Sequence, residues 1–248
     1  MFLSTKKMKF FKSNYSKKTF LILNFTYIIL LFGCENKYSQ ITIQQELISD
    51  IEVLNQKIND FQTIAEESNN EKKIQDAFKS TRLSYKKIEW AVEYFTPDPA
   101  RFINGPALDE LEVAENTFFS PNGFQVIEEL LFPNYSIENK TNLIREIKIL
   151  KGNLNQVKQH LSAITISNNY VLDASKMEIN RILALGITGF DSPIALHAVP
   201  EAKISLGSLK FLLPKMSNNT NESNVSEKKI LDLINQGEQY CQSHPDFN

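Results

Sequence analysis

"TIQQELISDIEVLNQKINDFQTIAEE" occupies residues 42–67 and decides the fold class. Its apolar side chains recur every three or four residues, which is the period of a helix with one buried face. They form a single stripe of Ile43, Leu47, Ile51, Leu54, Ile58, Phe61 and Ile64. Gly and Pro number only 8 and 9 in 248 residues, so few positions interrupt such a pattern. The segment therefore predicts a long amphipathic helix in an all-α protein.

The same period recurs along the chain. It predicts further helices over 71–95, 123–132, 138–166 and 169–186, from Pro200 to about Met216, and over 225–241. Residues 97–121 are predicted to form a long irregular crossover, because Pro97 and Pro99 disfavour helix. Ser192 is predicted to cap a helix that has Pro193 at its first position. The expected fold is an all-α helical bundle of about six to seven helices with one long irregular crossover. Sites in such bundles are built from inward-facing acids and histidines.

Residues 1–34 have the layout of an exported leader. A lysine-rich start without acids precedes an apolar run at 20–33, which is too short for a comfortable membrane span. The ending "LLFGC" resembles the lipobox of bacterial lipoproteins, in which the cysteine, here Cys34, carries the lipid. The alternative is an uncleaved N-terminal anchor helix. In both cases the rest of the chain would lie outside the cytoplasm, tethered to a membrane of the cell envelope and facing the periplasm or the outer membrane.

These observations divide the chain into three predicted parts. They are a lipoprotein signal peptide at 1–34, a helical bundle at 35–216, and a polar linker at 217–224 followed by a C-terminal helix, which together make up 217–248. The leader holds six of the 27 basic side chains and none of the 29 acidic ones, so the remainder is acidic. An acidic protein without a basic block is a poor nucleic-acid binder.

The cysteines exclude two kinds of site. With Cys34 lipidated, Cys241 is the only thiol left, so no intramolecular disulfide can form. Covalent c-type haem attachment needs C-x-x-C-H. Cys241-Gln-Ser-His244 lacks the second thiol and the adjacent histidine, so we expect no cofactor attached within the chain.

Three acids are candidate metal ligands. Glu89 and Glu93 lie four residues apart on one predicted helix face. Glu128 lies in "GFQVIEELLF" (123–132), where acids beside apolar surface are expected to be paired, protonated or metal-bound. Facing carboxylates suit iron or another divalent metal such as Mn or Ca. For Glu89 and Glu93, the alternative is a solvent edge beside Lys86 and Lys87.

The remaining polar residues point to no catalytic centre. His160, His197 and His244 show no ligand spacing, and His197 beside a helix junction is the one that could reach a site. Asp191 in "GITGFDSP" (186–193) is interpreted as a helix-capping acid, with a polar lining group as the alternative. The sequence contains no HExxH helix, so a peptidase is not indicated. We therefore expect no enzymatic activity from this chain on its own.

Three strings carry a resemblance to a known family. They are "SYKKIEWAVEYFTPDPARFINGPALDELE" (84–112), "NGFQVIEELLF" (122–132) and "ILALGITGFDSPIALHAVPEA" (182–202). Together they resemble an imelysin-like helical domain. They are most similar to the N-terminal region that precedes the di-haem cytochrome c peroxidase domain in some Bacteroidetes proteins. The likeness covers roughly residues 70–215.

The resemblance implies a helical bundle in the periplasm or on the outer membrane, linked with iron uptake. Its G-x-H-x-x-E metal motif corresponds here to Gly123, Gln125 and Glu128, so glutamine stands where the family has histidine. An amide is a weaker ligand than imidazole. We therefore expect a vestigial site, with Glu128 facing the interior and hydrogen-bonded to Gln125, Tyr85 or Trp90.

Two functions follow from the resemblance. The first is a non-enzymatic, lipid-anchored accessory or docking module for a di-haem cytochrome c peroxidase-type electron-transfer partner. The alternative is an iron-binding lipoprotein in iron acquisition, with Glu89, Glu93 and Glu128 as metal ligands and water completing the shell.

Overall fold

The structure is a computed structural model that describes residues 35–112, 116–216 and 221–246. The predicted signal peptide, its lipidated Cys34 and the first half of the linker, at 217–220, lie outside these residues. The chain divides into a unit that ends at Ser39 and a compact unit that spans Gln40–Asn248. Of the first unit only residues 35–39 are described, and they are helical. The predicted domain boundaries remain predictions.

The all-α helical bundle is confirmed, with more helices than the six to seven expected. The described residues contain nine α-helices: α1 Glu35–Glu67, α2 Glu71–Lys86, α3 Glu89–Phe95, α4 Pro97–Asn104, α5 Phe124–Leu131, α6 Lys140–Ala163, α7 Asn168–Arg181, α8 Ala198–Met216 and α9 Asn221–Ser243. A 3-10 turn at Ile137–Asn139 precedes α6, and a π-helical turn at Ile182–Gly186 extends α7. A two-stranded antiparallel hairpin pairs β1 (Glu110–Glu112) with β2 (Thr117–Phe119).

The core follows the predicted stripes. Six of the seven apolar residues predicted on α1 are buried, from Ile43 to Phe61, and Ile64 is partly buried. On α6 the buried positions run from Leu143 to Leu161 at the same spacing. Burial of such side chains contributes about 1.5–3 kcal/mol each, which makes these stripes the main source of stability.

The predicted single helix at 71–95 is broken between α2 and α3. No Gly or Pro marks the break, which falls at Lys87 and Ile88. The carbonyl groups released there find donors on α8: the hydroxyl of Ser208 donates to the oxygen of Lys87 at 2.9 Å, and that of Ser205 donates to the oxygen of Lys86 at 3.4 Å. A helix can end inside a protein when its last carbonyls are satisfied in this way.

The crossover at 97–121 is less irregular than predicted. Pro97 begins α4 instead of preventing it, because a proline in the first helical turn removes no intrahelical hydrogen bond. The hairpin occupies much of the remainder, and its exposed Leu111 pairs with the exposed Phe118. The prediction of a long irregular stretch was therefore wrong for α4 and for the hairpin.

The helix predicted to start at Pro193 does not form. Residues 187–195 form turns and a bend, and α8 begins at Ala198. The backbone N–H groups of Ile194 and Ala195 donate to the Glu128 carboxylate at 3.0 and 2.6 Å. The Glu128 carboxylate from α5 therefore holds this turn in place. It accepts the backbone N–H groups that a capping side chain would accept at the start of a helix.

The last helix also starts earlier than predicted. The expected range was 225–241, whereas α9 spans Asn221–Ser243 and packs along α8. Ile234 and Cys241 are its buried residues, and Cys241 is a free thiol.

Candidate functional site

A buried charge network lies where α2, α3, α4, α8 and the turn before α8 meet. We define it by Arg82, Lys86, Glu89, Asn104, Asp191 and Glu201, each of which is at most 4 % exposed. Arg82 and Lys86 lie four residues apart on α2, so both project from one face of that helix. Charged side chains are buried in folded proteins only when they are paired.

Arg82 is the centre of this network. Its Nε and Nη2 donate to the two carboxylate oxygens of Glu201 at 2.5 and 2.7 Å, which is a bidentate pair. Nη2 also donates to the backbone oxygen of Asp191 at 2.8 Å, and Nη1 donates to Asn104 Oδ1 at 3.0 Å. The guanidinium carbon lies 5.4 Å from the centre of the Phe124 ring. Arg82 thus connects α2 to three other segments.

Lys86 holds a second group of acids. Its Nζ donates to both oxygens of Glu89 at 2.8 Å and to Asp191 Oδ2 at 2.6 Å. Burial alone would lower the pKa of Lys86, but the charges of Glu89 and Asp191 outweigh it and raise the pKa above its ordinary value. Lys86 therefore stays protonated at neutral pH and serves as a cation, not as a nucleophile or base.

Glu201 is held ionised. Burial would raise the pKa of this carboxyl, yet the charge of Arg82 and the hydrogen bonds from Arg82 and His197 lower it to about 2. His197 Nδ1 lies 3.3 Å from Glu201 Oε1, one helical turn away. The histidine that sequence reasoning placed beside a helix junction therefore borders the network.

A second set of charges borders the network at Arg181. Arg181 Nη1 lies 3.1 Å from Glu93 Oε2, and the Tyr85 hydroxyl donates to Glu93 Oε1 at 3.1 Å. Burial raises the pKa of Glu93, with Arg181 opposing it. Burial and the charges of Glu93 and Glu89 raise the pKa of Tyr85. Burial therefore makes Glu93 a weaker acid, while the charge of Arg181 supports its carboxylate form.

The motif helix α5 places Glu128 in the interior, as predicted. Glu128 is fully buried, and its Oε1 accepts from the Ser192 hydroxyl at 3.1 Å as well as from two backbone N–H groups of the same turn. The predicted partners Gln125, Tyr85 and Trp90 were wrong. Oε2 of Glu128 is buried and makes no hydrogen bond.

Gly123 precedes α5 with φ +94°, a backbone conformation that residues with a Cβ atom rarely adopt. A Cβ atom there would lie 2.4 Å from the backbone oxygen of Ile103 at the end of α4. Glycine at this motif position therefore permits close contact between α4 and the start of α5.

The three predicted metal ligands are each engaged by donors. Glu89 contacts Lys86, Glu93 contacts Arg181, and Glu128 binds the turn before α8. The solvent-edge interpretation of Glu89 is wrong, since it is 2 % exposed. Among the residues that the structure describes, no group of three or more His, Cys, Asp or Glu side chains is arranged to hold a metal ion. Metal binding by these acids remains a prediction.

Asp191 is a network residue and not the helix cap that we favoured, since its carboxylate binds Lys86 and Asn104. The alternative, a polar lining group, matches its position. His160 and His244 lie on exposed positions.

Sequence reasoning missed Arg82, Lys86, Glu178 and Glu201 as site residues. One signal was available: Arg82 lies on the same helical face as Phe78 and Tyr85, where a charge needs a buried partner. Glu178 on α7 is 1 % exposed, and among the described residues neither carboxylate oxygen has a hydrogen-bond partner of normal geometry, although the nearby Ser205 hydroxyl opposes the rise in its pKa. Burial, followed by the charge of Glu89, raises its pKa well above the ordinary value.

No protein-family model and no curated protein matches this chain. Within the described ranges, none of the helices is sufficiently long and apolar to cross a membrane.

The network holds its ionisable side chains in their charged forms. Its cations are held protonated, and the carboxylate of Glu201 is held ionised by Arg82. A paired interior of this kind orients helices relative to one another and can border a polar cavity. The arrangement therefore supports a binding or docking role better than proton transfer.

Proposed function

We propose that this chain is a non-enzymatic, lipid-anchored helical domain of the cell envelope that docks onto a di-haem cytochrome c peroxidase-type electron-transfer partner. The resemblance of residues 84–112, 122–132 and 182–202 motivates the choice of partner. Cys34 would carry the anchor and keep the domain at the membrane surface.

The observation that carries the docking role is an exposed apolar stripe on α7 and the turn after it. Leu172, Ile179, Leu183 and Ile187 follow one another at intervals of seven, four and four residues, and they are 43, 43, 61 and 47 % exposed. Side chains at this spacing share one helix face. Single exposed leucines are common, but contiguous apolar surface marks sites of protein interaction.

Haem absorbance gives the first test. We expect the full-length protein, purified natively from its own membranes, to show a Soret band of c-type haem from the bound partner. A spectrum without haem absorbance from gently solubilised membranes would refute the partnership, since the chain has no C-x-x-C-H motif of its own.

A surface variant locates the contact. Ile179→Glu with Leu183→Glu places two charges on the stripe, and we expect it to remove the Soret band from the purified protein. The matched control is Ile230→Glu with Leu233→Glu on α9, where the two side chains are 41 and 58 % exposed. If both variants retain haem equally, the stripe is not the docking surface.

A second candidate function, iron binding in iron acquisition, is favoured by one observation. The Oε2 atom of Glu128 is buried without a hydrogen bond, on the helix that carries the metal-motif positions. Gln125, one turn earlier, makes no hydrogen bond to any described residue. An acceptor left unpaired in the interior costs free energy unless a ligand or water meets it.

Metal titration tests this candidate. The protein stripped with chelator should melt at a higher temperature with Fe²⁺ or Mn²⁺ if the folded state binds them. Gln125→His should strengthen that effect by supplying imidazole. If the wild type shows no metal-dependent rise and Gln125→His only lowers the melting temperature, iron binding is excluded.

A further inference from the structure

A cavity of about 210 Å³ with both polar and apolar walls borders the buried charge network and is not explained by docking. Its walls come from α3, α4, α5 and the segment that follows α7, and they include Glu93, Asn104, Gln125, Arg181 and Asp191. All of these belong to the compact unit Gln40–Asn248. The cavity therefore joins residues far apart in the sequence at one accessible point.

Gln125 is the residue that indicates a ligand. Its side chain is 5 % exposed and lines the cavity, yet within the described ranges it has no hydrogen-bond partner. Its amide atoms can therefore hydrogen-bond to water or to a molecule in the cavity. The neighbouring amide of Asn104 donates to Glu89 at 3.2 Å and is therefore already engaged within the protein. Gln125 is free to bind a molecule in the cavity.

The charges on the walls select the ligand's charge. Arg181 contributes a cation that lies 3.1 Å from the Glu93 carboxylate, and Asp191 contributes a carboxylate that is bound by Lys86. A simple anion would meet the two acids, and a simple cation would meet the arginine. A molecule that carries both signs can place its carboxylate towards the Arg181 guanidinium and its ammonium towards the acids.

The volume of the cavity and its apolar walls limit the size and the uncharged part of the ligand. The cavity has roughly the liquid volume of seven waters, which suits a small molecule. Pro97, Leu185 and Phe190 supply apolar surface beside the polar groups. Such a wall contacts a short aliphatic side chain favourably, because apolar area is removed from water on both sides.

We propose that this cavity binds a small zwitterion of the α-amino-acid class. The carboxylate lies near Arg181 and the Gln125 amide, the ammonium lies near Glu93 and Asp191, and a short aliphatic group packs on Leu185 and Phe190. The site is independent of the docking stripe, so its failure would leave the proposed function intact. It would give the domain a way to respond to free amino acids at the cell envelope.

The test uses the full-length protein in detergent with excess EDTA, which removes any contribution from metal. The probes are glycine, alanine, valine and leucine, with acetate and methylamine as single-charge controls, in thermal-shift and isothermal titration experiments. We expect saturable binding and a raised melting temperature for at least one amino acid, and neither for acetate or methylamine. Binding of none of the amino acids, or equal binding of acetate, would overturn the assignment.

Two variants connect that binding to the cavity. Gln125→Met keeps the volume and removes the amide, and it should weaken amino-acid binding at least tenfold because a hydrogen bond to a charged group is lost. Gln156→Met, an exposed change on α6, is the matched control and should bind as the wild type does. Phe190 is 54 % exposed, so Phe190→Ala should fold normally and weaken binding of leucine more than of glycine. Unchanged affinity in both cavity variants would place the amino acid elsewhere and refute the proposal.

Discussion

Removing the charge of Arg82 should be one of the most damaging single substitutions in the protein. Arg82→Met keeps most of the side-chain volume but leaves the Glu201 carboxylate, which is 1 % exposed, without its bidentate partner. The nearest remaining cation is Lys86, whose Nζ lies 3.9 Å from Glu201 Oε2. Breaking a buried ion pair from one side costs about 3–5 kcal/mol. Lowering the pKa of Glu201 from 4.5 to about 2 corresponds to roughly 3 kcal/mol, which agrees with the lower end.

The assay is urea denaturation of the full-length protein, followed by circular dichroism at pH 7. We expect a loss of about 3–5 kcal/mol in the free energy of unfolding, or a fall of roughly 6–20 °C in melting temperature. Lys72→Met is the control, because Lys72 and Asp76 form an exposed pair and its removal should cost less than about 0.5 kcal/mol. A loss below about 1 kcal/mol for Arg82→Met would refute the reasoning.

Two further measurements separate charge from packing. The double variant Arg82→Met with Glu201→Leu should recover much of the loss, because it leaves no unpaired charge inside the protein. Since the folded-state pKa of Glu201 is lowered, its contribution to stability is present above pH 4.5 and disappears as the pH falls towards 2. The difference between wild type and Arg82→Met should therefore shrink over that range, and a pH-independent difference would point to packing instead.

For three other substitutions we expect a defined increase or decrease in the free energy of unfolding. Burial raises the pKa of Glu178, so its folded form prefers the proton and loses stability as the pH rises above about 4.5. Glu178→Gln should stabilise the protein at pH 8 by about 1–3 kcal/mol and by less at pH 4, measured by urea denaturation. Gly123→Ala should cost more than about 1 kcal/mol, because it combines φ +94° with a clash against Ile103. Gly152→Ala on α6 meets no atom within 4 Å and should instead gain about 0.5–1 kcal/mol; melting temperatures that move together would contradict both glycine arguments.

The helical period predicted the helices that are marked by a continuous apolar stripe in their own sequence. The stripes of α1 and α6 could be identified because each places an apolar side chain at every turn towards one core. The break between α2 and α3 could not, since its carbonyls are satisfied by Ser205 and Ser208 from more than a hundred residues away. Pro97 misled the prediction for the opposite reason: a residue that stops one helix can begin the next.

The candidate site was predictable only in part. Its apolar neighbours predicted Glu128 as an interior group, since ionised carboxylates need partners there, whereas a solvent edge stayed open for Glu89. Their partners were not predictable, because a lysine or arginine on an amphipathic helix is usually solvated. The position of Arg82 beside Phe78 and Tyr85 indicates burial but does not identify a partner. Nothing in the local sequence pairs Arg82 with Glu201, which lies 119 residues further along the chain.

The separation along the chain of the residues in the buried charge network has a consequence for the lifetime of the folded state. Arg82 contacts residues 109 and 119 positions away, and Lys86 contacts Asp191 across 105. Individual helices can form before these distant segments meet, and desolvating the charges before their partners arrive would be costly. We expect the network to assemble after the rate-limiting step of folding. Interactions formed that late hardly affect the folding rate but slow unfolding, so the network should lengthen the lifetime of the folded state.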